Sequence, residues 1–537
     1  MTFGFVKRIF PTWKNALLAI LAAGLLILAF PDFELWFTAW FALVPLMWAV
    51  EREKASVARS FILGWLFGTI FFFGTCWGLT FAPITYAAFP PWLAYGLMLI
   101  VAVIVGVFPA IFAAILSILL RRFGSGAFLA APFAWVFSEF LRYWITGNNW
   151  NAIAYSQAFV EVWPAFVLWT ASFGGVLLTS GVVVLVNGLL ARSFGILTAR
   201  GETKQKLRRC FVEWMAAFTL SLIALVAHFV SMHVTNGEKT WQTVIAVQPN
   251  VPMSYLDQAK LAELRQRQIE LAETEIKKLA TDHRTPNIVI LPESPMNFMY
   301  SDDREFQQFI GDFARRNNVS VLFNSAEPDR GTTKYFNSAV MVGPDGSEVA
   351  EYDKIYLLPF GEAVPSFLEG IVPGFVGNFA YGREYDLMPV GDAKAGVMIC
   401  FESHFGQLSR RYVQDGADMI IEMTNDGYLG PTPVLRQHLA NAVFRAVETN
   451  RPVLRVTNVG ITAHIAQDGD ICDSLIRCGP EQYVEGTSVW SVSKSDGSQT
   501  FYVRYGDWFA WLCSFVTLGL LGFAFVNRKH SGVADNL

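Results

Sequence analysis

The sequence has few charged residues and no excess of positive charge. Of its 537 residues, only 16% are Asp, Glu, Lys or Arg, and the formal net charge is −4. A protein that follows the phosphates of a nucleic acid needs a basic surface, which this composition does not provide. We therefore expect no nucleic-acid partner.

The cysteines lack the spacing of a metal site. There are six of them in the chain, with no CxxC pair and no Cys/His pattern of the kind that binds zinc. Metal catalysis has little support in such a sequence. We therefore predict neither a metal site nor a cofactor.

Apolar residues are what the sequence has in excess, at 53% hydrophobic and 15% aromatic. A bilayer core of about 30 Å needs about 20 apolar residues per helix. By this measure we predict a helical membrane bundle of about eight spans. Two of them are long enough to be helix pairs, with breaks at Pro109 or at Gly174 and Gly175, but splitting either would disturb the alternation of basic loops. The predicted spans lie near residues 14–30, 34–50, 60–79, 92–120, 126–144, 162–191, 211–232 and 507–526.

Basic residues collect in alternate loops between these spans. They lie before the first span, around residues 52–59, at 121–122, at 192–209 and after the last span. By the positive-inside rule both termini are cytoplasmic and the long segment before the last span is extracytoplasmic. We therefore predict a seven-helix bundle at 1–232, a soluble domain at 233–506, and a final helix with a cytoplasmic tail at 507–537.

The soluble segment alternates short apolar runs with amphipathic stretches. Seven runs are predicted strands, namely Thr243–Val247, Asn287–Leu291, Val319–Phe323, Ser338–Val342, Ala395–Cys400, Met419–Met423 and Val453–Thr457. Four stretches are predicted helices, namely Leu256–Leu279, Asp302–Arg316, Phe405–Gln414 and Val434–Asn450. Strands covered by helices on both sides favour a layered α/β sandwich with functional groups at strand ends.

Three segments of this domain place a reactive side chain at or just beyond an apolar run. Glu293 ends Ile288-Val-Ile-Leu-Pro-Glu293, Lys354 follows Tyr352-Asp, and Cys400 follows Gly396-Val-Met-Ile. Each alone has an ordinary explanation, as a solvated carboxylate, a surface lysine or a small core residue. Their order and their flanking residues make the combination specific.

In this order, with these flanks, the trio resembles the nitrilase or carbon–nitrogen hydrolase superfamily. The matching motifs cover most of residues 241–490 and include Leu291-Pro-Glu293, Lys354-Ile-Tyr-Leu-Leu-Pro-Phe-Gly-Glu362, Ile399-Cys-Phe-Glu402, Thr424-Asn-Asp-Gly-Tyr-Leu-Gly430, Gln437-His-Leu439 and Thr457-Asn-Val-Gly460. The resemblance implies an αββα sandwich and a Glu-Lys-Cys catalytic triad.

The resemblance also implies a role for each residue. Glu293 takes the proton of the Cys400 thiol, while Lys354 and the backbone N–H of Phe401 stabilise the oxyanion. We expect Glu362 to orient Lys354 or the amine that is acylated. Further supporting positions are Glu402, in the cysteine motif, and Asn425, which follows an apolar strand and is expected to line the pocket.

Most nitrilase-like enzymes are soluble amidases, whereas this domain has predicted membrane spans on both sides. The spans therefore restrict the resemblance to a membrane-embedded branch of the superfamily. The whole chain resembles the bacterial apolipoprotein N-acyltransferases, most particularly at Pro359–Pro365, Gln437–Leu439 and the Trp150–Gln157 loop. Resemblance implies that an acyl chain leaves a phospholipid, typically phosphatidylethanolamine, for Cys400 as a thioester. The N-terminal amine of a diacylglyceryl-cysteine in a lipoprotein then accepts it. We expect a monomer in the bacterial inner membrane, with a periplasmic catalytic domain.

An apolar loop lies between Lys354 and the cysteine strand. We hypothesise that it dips toward lipid and gates acyl access, with Phe360, Phe367, Phe375 and Phe379 as the large apolar contacts. Packing of the same loop over the core of its own domain is the alternative.

Two other functions remain open from the sequence. A membrane-tethered amidase would pass the same intermediate to water. A non-enzymatic receptor or transport scaffold would place function in the spans, which hold few ionisable groups apart from Glu139.

Overall fold

The computed structural model describes residues 9–160, 166–198, 202–216, 241–253, 256–296, 298–359, 361–363, 379–474 and 484–526. The chain divides into two compact units. One unit comprises Met1–Val234 together with Tyr505–Leu537, and the other comprises Thr235–Arg504.

The first unit is helical in its described part. Its helices before the second unit are α1 (Trp13–Leu28), α2 (Val44–Glu53), α3 (Val57–Cys76), α4 (Phe81–Thr85), α5 (Pro91–Val105), α6 (Val107–Phe123), α7 (Ala131–Thr146), α8 (Phe166–Trp169) and α9 (Ala171–Thr198). Short 3₁₀ turns lie at Trp36–Trp40, Trp77–Thr80, Gly124–Ala130 and Ile153–Gln157.

Within the described ranges, four stretches have the length and apolar composition needed to cross a membrane. They are Val57–Thr85, Pro91–Thr146, Ala171–Thr198 and Trp508–Val526. Helix α1 is also apolar but has 16 residues, which is short of the usual length of a span. The helical part of the chain is therefore compatible with a membrane protein.

The prediction of one continuous span at 34–50 is wrong. The structure has a 3₁₀ turn at Trp36–Trp40 and then helix α2, which begins at a proline-containing first turn. At about 1.5 Å per residue, the 10 residues of α2 extend only about 15 Å. Glu53 at its end is buried and accepts hydrogen bonds from the Thr12 backbone N–H and from Asn15. Composition alone could not locate this interruption.

The two long predicted spans are each interrupted, one at Gly174 and Gly175 as considered from the sequence, the other at Gly106, three residues before Pro109. Backbone angles at Gly174 and Gly175 are not helical, with Gly175 at φ 67°. In the other span Gly106 separates α5 from α6, which leaves Pro109 in the first turn of α6 where its missing N–H costs nothing. Of the seventh predicted span, residues 217–232 lie outside the described residues.

The second unit holds twelve strands within the described residues. They are β1 (Trp241–Gln248), β2 (Ile288–Ile290), β3 (Ser320–Pro328), β4 (Tyr335–Val342), β5 (Glu348–Asp353), β6 (Leu387–Val390), β7 (Ala393–Ile399), β8 (Met419–Thr424), β9 (Val453–Thr457), β10 (Ala463–Ile465), β11 (Ile471–Ser474) and β12 (Gly486–Ser493). Its helices are α10 (Gln258–Thr281), α11 (Arg304–Asn317), α12 (Gly406–Gln414) and α13 (Val434–Thr449). After them come α14 (Phe501–Tyr505) and the last apolar helix α15 (Trp508–Val526).

These strands form two mixed sheets of six strands each in the described part of the unit. The first has the order β12-β1-β2-β3-β4-β5, with β1, β2 and β3 parallel. The second has the order β11-β10-β9-β8-β7-β6, with β7, β8 and β9 parallel. The parallel strands lie in the interior of each sheet, where both faces are covered, and their sequences are accordingly rich in apolar residues.

Helices cover the outer faces of both sheets. Helices α10 and α11 bury Leu264, Ile269, Phe306 and Phe313 in one apolar cluster with the residues of β1 to β4 that face outward. Helices α12 and α13 contact β7 and β9 of the second sheet, while the inner faces meet through contacts of β1 with β9 and of β5 with β6. The unit is thus a four-layer αββα sandwich, as the sequence predicted.

Candidate active site

Glu293 lies three residues beyond the central strand β2. Its side chain is 15% exposed and is held on both oxygens. Oε1 accepts a hydrogen bond of 3.0 Å from Asn337 Nδ2, and Oε2 accepts one of 3.1 Å from the backbone N–H of Asn425. These donors fix the direction of the carboxylate without neutralising it.

Lys354 directly follows the edge strand β5 and is the buried cation of the site. Only 1% of its side chain is exposed. Its Nζ lies 2.8 Å from Glu362 Oε1 and 3.8 Å from Glu293 Oε1. The backbone N–H of Lys354 donates to the carbonyl of Asn337 at 2.9 Å, so β4 fixes the point from which the side chain extends.

Cys400 lies where β7 ends, and its backbone turns sharply there. Strand β7 was predicted to include this residue, but it ends at Ile399 and Cys400 has a φ of 52°. A left-handed conformation costs a non-glycine residue about 1 kcal/mol, which the surrounding contacts must offset. The thiol is half-buried, and Glu293 and Thr424 both act on its pKa, Glu293 raising it and Thr424 lowering it. The turn therefore presents the thiol to Glu293 instead of to the sheet.

Burial dominates the electrostatics of the three groups. It raises the pKa of Glu293, with Glu362 acting in the same direction and Lys354 opposing. Burial and the Glu293 carboxylate raise the pKa of the Cys400 thiol well above its ordinary value. Burial disfavours the ammonium of Lys354, but Glu362 and Glu293 outweigh it and raise its pKa. These shifts favour the protonated thiol of Cys400 and the ammonium form of Lys354, and they make the Glu293 carboxylate a stronger base.

Glu402 links the turn at Cys400 to the segment that follows Lys354 through hydrogen bonds. It is fully buried, and burial raises the pKa of its carboxyl to about 7. Its two oxygens accept hydrogen bonds from the Tyr352 hydroxyl at 2.8 Å and from the backbone N–H groups of Ile355 at 2.8 Å, Tyr356 at 3.0 Å and Ile399 at 2.9 Å. One side chain thus sets the spacing between the segments that carry Lys354 and Cys400.

Asn337 is the site residue that the sequence reasoning missed. It lies on β4, and its Nδ2 donates to Glu362 Oε1 at 2.7 Å as well as to Glu293. Its Oδ1 accepts from Asn324 Nδ2 on β3 at 2.7 Å. The available signal was a pair of asparagines next to the apolar runs of two neighbouring strands, where a buried amide needs a specific partner.

The remaining predicted residues are divided between the site and its surroundings. Glu362 joins the site through Lys354 and through the backbone N–H of Leu358, which donates at 2.7 Å. Asn425 contributes its backbone, whereas its side chain bonds Gly427, Asn458 and Met253. The Phe401 ring packs on His404 and Phe405.

Of the predicted gate residues, Phe360, Phe367 and Phe375 lie outside the described residues. Phe379 is half-buried, and its backbone N–H donates to the carbonyl of Glu362 at 3.4 Å.

The arrangement is suited to acyl transfer through a thioester. A basic carboxylate contacts the thiol, and a buried ammonium lies beside both groups where negative charge would develop on a carbonyl oxygen. In the described part of the chain, no group of three or more His, Cys, Asp or Glu side chains is placed to hold a metal ion.

Comparison with known proteins gives the same two-part division. Residues 22–189 match the family described as the apolipoprotein N-acyltransferase N-terminal domain, and residues 239–498 match the carbon–nitrogen hydrolase family. Apolipoprotein N-acyltransferase of Geobacter metallireducens is 28% identical over 93% of this chain and 93% of its own length. The enzyme of the same name from Ralstonia nicotianae is 30% identical over 78% of this chain and 76% of its own. Among solved structures, the nitrilase-superfamily protein Nit3 of Saccharomyces cerevisiae covers 47% of this chain and 90% of its own, at 18% identity and a TM-score of 0.35.

Alkylation of Cys400 by iodoacetamide should depend on the protonation of Glu293. Because the pKa of Glu293 is raised, its protonated and inactive form persists above the ordinary glutamate value of about 4.3. The alkylation rate should therefore fall as pH drops through a midpoint above that value. Glu293→Gln should abolish this step, and the exposed Glu305→Gln should leave it unchanged. A step that survives in Glu293→Gln would contradict the role of Glu293 as the base.

Replacing Asn337 by alanine should move the same midpoint upward. The Asn337 amide stabilises the ionised form of Glu293 and holds it beside Glu362. A hydrogen bond to a charged group contributes about 1.5 kcal/mol, so the shift should be about one pH unit. Asn317→Ala, which removes an amide that donates to the Phe313 carbonyl in helix α11, is the matched control. An unchanged midpoint in Asn337→Ala would refute the coupling.

Proposed function

Because the chain belongs to the apolipoprotein N-acyltransferase family, we propose that it moves an acyl chain from a phospholipid to the N-terminal amine of a lipoprotein. The observation that carries this proposal is the meeting of Glu293, Lys354 and Cys400 in one largely buried cluster.

The first half-reaction loads Cys400. Its sulfur attacks the ester carbonyl of the donor while Glu293 accepts the thiol proton. The Lys354 ammonium and the Phe401 N–H stabilise the oxyanion of the tetrahedral intermediate; losing one such donor typically costs about 3 kcal/mol. The carbon–oxygen ester bond then breaks, and the departing lysophospholipid alkoxide takes the proton from Glu293. An acyl thioester on Cys400 remains.

The second half-reaction discharges the thioester. The α-amine of a diacylglyceryl-cysteine attacks the thioester carbonyl and gives a proton to Glu293. The same donors stabilise the second oxyanion. As the carbon–sulfur bond breaks, the Cys400 thiolate recovers the proton, and an amide is left on the lipoprotein. Glu362 keeps Lys354 in place during both steps through their 2.8 Å contact.

We further propose phosphatidylethanolamine as the principal donor and a periplasmic position for the catalytic domain, with both termini in the cytoplasm. Four apolar stretches and the alternation of basic loops support an inner-membrane protein with this orientation.

All residues in the two half-reactions belong to one chain, so we propose a monomer as the active unit. A dimeric mass by light scattering in detergent would contradict that proposal.

Intact-protein mass after incubation with phosphatidylethanolamine tests the first half-reaction. We expect one added acyl mass that hydroxylamine removes, because a thioester is cleaved by this reagent. Cys400→Ala should show no adduct, and Cys472→Ala, which removes an exposed cysteine, should keep it. An adduct that survives in Cys400→Ala would contradict the nucleophile.

The second half-reaction separates a transferase from an amidase. Addition of a diacylglyceryl-cysteine peptide to the loaded enzyme should discharge the thioester and yield an N-acylated peptide. Discharge to free fatty acid at an equal rate without the peptide would support hydrolysis instead.

Loading from phosphatidylglycerol at the same rate as from phosphatidylethanolamine would overturn the donor preference.

We also propose that the loop carrying Phe360, Phe367, Phe375 and Phe379 gates acyl access, on the strength of its apolar composition and of the contact between Phe379 and Glu362. Replacing Phe375 and Phe379 together by serine should slow loading from phospholipid several-fold, because an apolar surface for the chain is lost. The rate of Cys400 alkylation by iodoacetamide should stay unchanged. Loading at the wild-type rate would rule out the gate.

A further inference from the structure

His438 lies behind the nucleophile and contacts its backbone. It is on helix α13, is 2% exposed, and its Nε2 lies 3.1 Å from the carbonyl oxygen of Cys400. The same nitrogen is 3.3 Å from Glu422 Oε1. Neither a carbonyl nor a carboxylate oxygen can donate a hydrogen, so Nε2 carries one and donates it toward Cys400.

A set of buried charges holds this imidazole in place. Its Nδ1 lies 2.8 Å from Asp426 Oδ1 and 3.1 Å from Arg455 Nη2, which donates to Nδ1 when Nε2 carries the hydrogen. Although burial opposes ionisation of Asp426, the guanidinium of Arg455 and the imidazole of His438 lower its pKa to about 2. Arg455 also pairs with Glu422, its partner across the β8–β9 register. Because these groups are almost completely buried and linked in pairs, the imidazole has little freedom to turn away.

The Cys400 carbonyl belongs to the peptide unit whose N–H is that of Phe401. A hydrogen bond donated to the oxygen of an amide polarises the unit and strengthens the hydrogen bond that its N–H donates. A donor at the carbonyl therefore acts on the oxyanion without touching the substrate.

We propose that His438 is a positioning residue that polarises the Cys400–Phe401 peptide and so strengthens the Phe401 N–H as an oxyanion donor. Asp426, Glu422 and Arg455 serve this role by orienting the imidazole. Because the inference rests on the proposed use of the Phe401 N–H, its test must be independent of the lipid substrate.

Two substitutions separate the donor from the rest of the imidazole. The amide of His438→Gln reaches about as far as Nε2 and can still donate to the Cys400 carbonyl. The shorter amide of His438→Asn reaches only as far as Nδ1, so it keeps the Asp426 contact and loses the one to Cys400. His464→Asn is the matched control, since His464 lies on β10 against Trp490.

Two reagents then separate oxyanion stabilisation from thiol reactivity. p-Nitrophenyl butyrate acylates a thiol through a tetrahedral oxyanion and needs no phospholipid. Iodoacetamide alkylates the same thiol by displacement, with no oxyanion. We expect His438→Asn to slow acylation about tenfold, because a tenfold change in rate corresponds to the free energy of about one hydrogen bond. The rate of alkylation should stay within about twofold of wild type. His438→Gln should recover most of the acylation rate, and His464→Asn should match wild type in both reactions.

Three results would overturn the inference. One is acylation of His438→Asn at the wild-type rate. Another is an equal loss of acylation and alkylation together with a lower unfolding temperature, because it would assign His438 a purely structural role. The third is a wild-type protein that iodoacetamide alkylates but p-nitrophenyl butyrate does not acylate. That result would contradict the existence of the oxyanion site on which the inference rests. Wild-type acylation by the ester but not by phosphatidylethanolamine would contradict only the proposed lipid donor.

Discussion

The buried ammonium of Lys354 is the charge on which the arrangement of the site depends. An ammonium removed from water costs several kcal/mol unless paired, and Glu362 and Glu293 offset that cost at unequal distances of 2.8 Å and 3.8 Å. The shorter contact fixes Glu362 as the counter-ion. The longer one suits the proposed exchange of a proton between Glu293 and the thiol. Geometry thus distinguishes two carboxylates of the same type.

The two sheets contribute separate halves of this site. Glu293, Asn337 and Lys354 come from the first sheet, and Cys400 and Glu402 come from the second. Close packing of the inner faces therefore sets the distance between the proposed base and the proposed nucleophile. Glu402 adds a polar link across the same boundary, because its oxygens bind both the end of β7 and the loop after β5. Small changes in sheet packing should consequently change the chemistry.

Much of the fold of the second unit could be predicted, because continuous apolar runs mark central strands. All seven predicted strands and all four predicted helices are present. The missed strands β5, β6, β10, β11 and β12 are short or partly exposed and belong to the outer parts of the sheets, where sequence periodicity is weak. The prediction of a continuous span at 34–50 was wrong for a related reason, since apolar composition does not indicate where a helix begins or ends.

The sequence by itself determined the apolar helices, the α/β domain and the candidate residues Glu293, Lys354 and Cys400, because each follows from a local pattern of neighbouring residues. Tertiary structure alone decided which groups act together. Asn337 meets Glu293 from 44 positions away, and the Asn425 N–H meets it from 132 positions away. The contact of His438 with the Cys400 carbonyl likewise joins residues 38 positions apart. Such contacts follow from how strands and helices pack, and no local pattern encodes them.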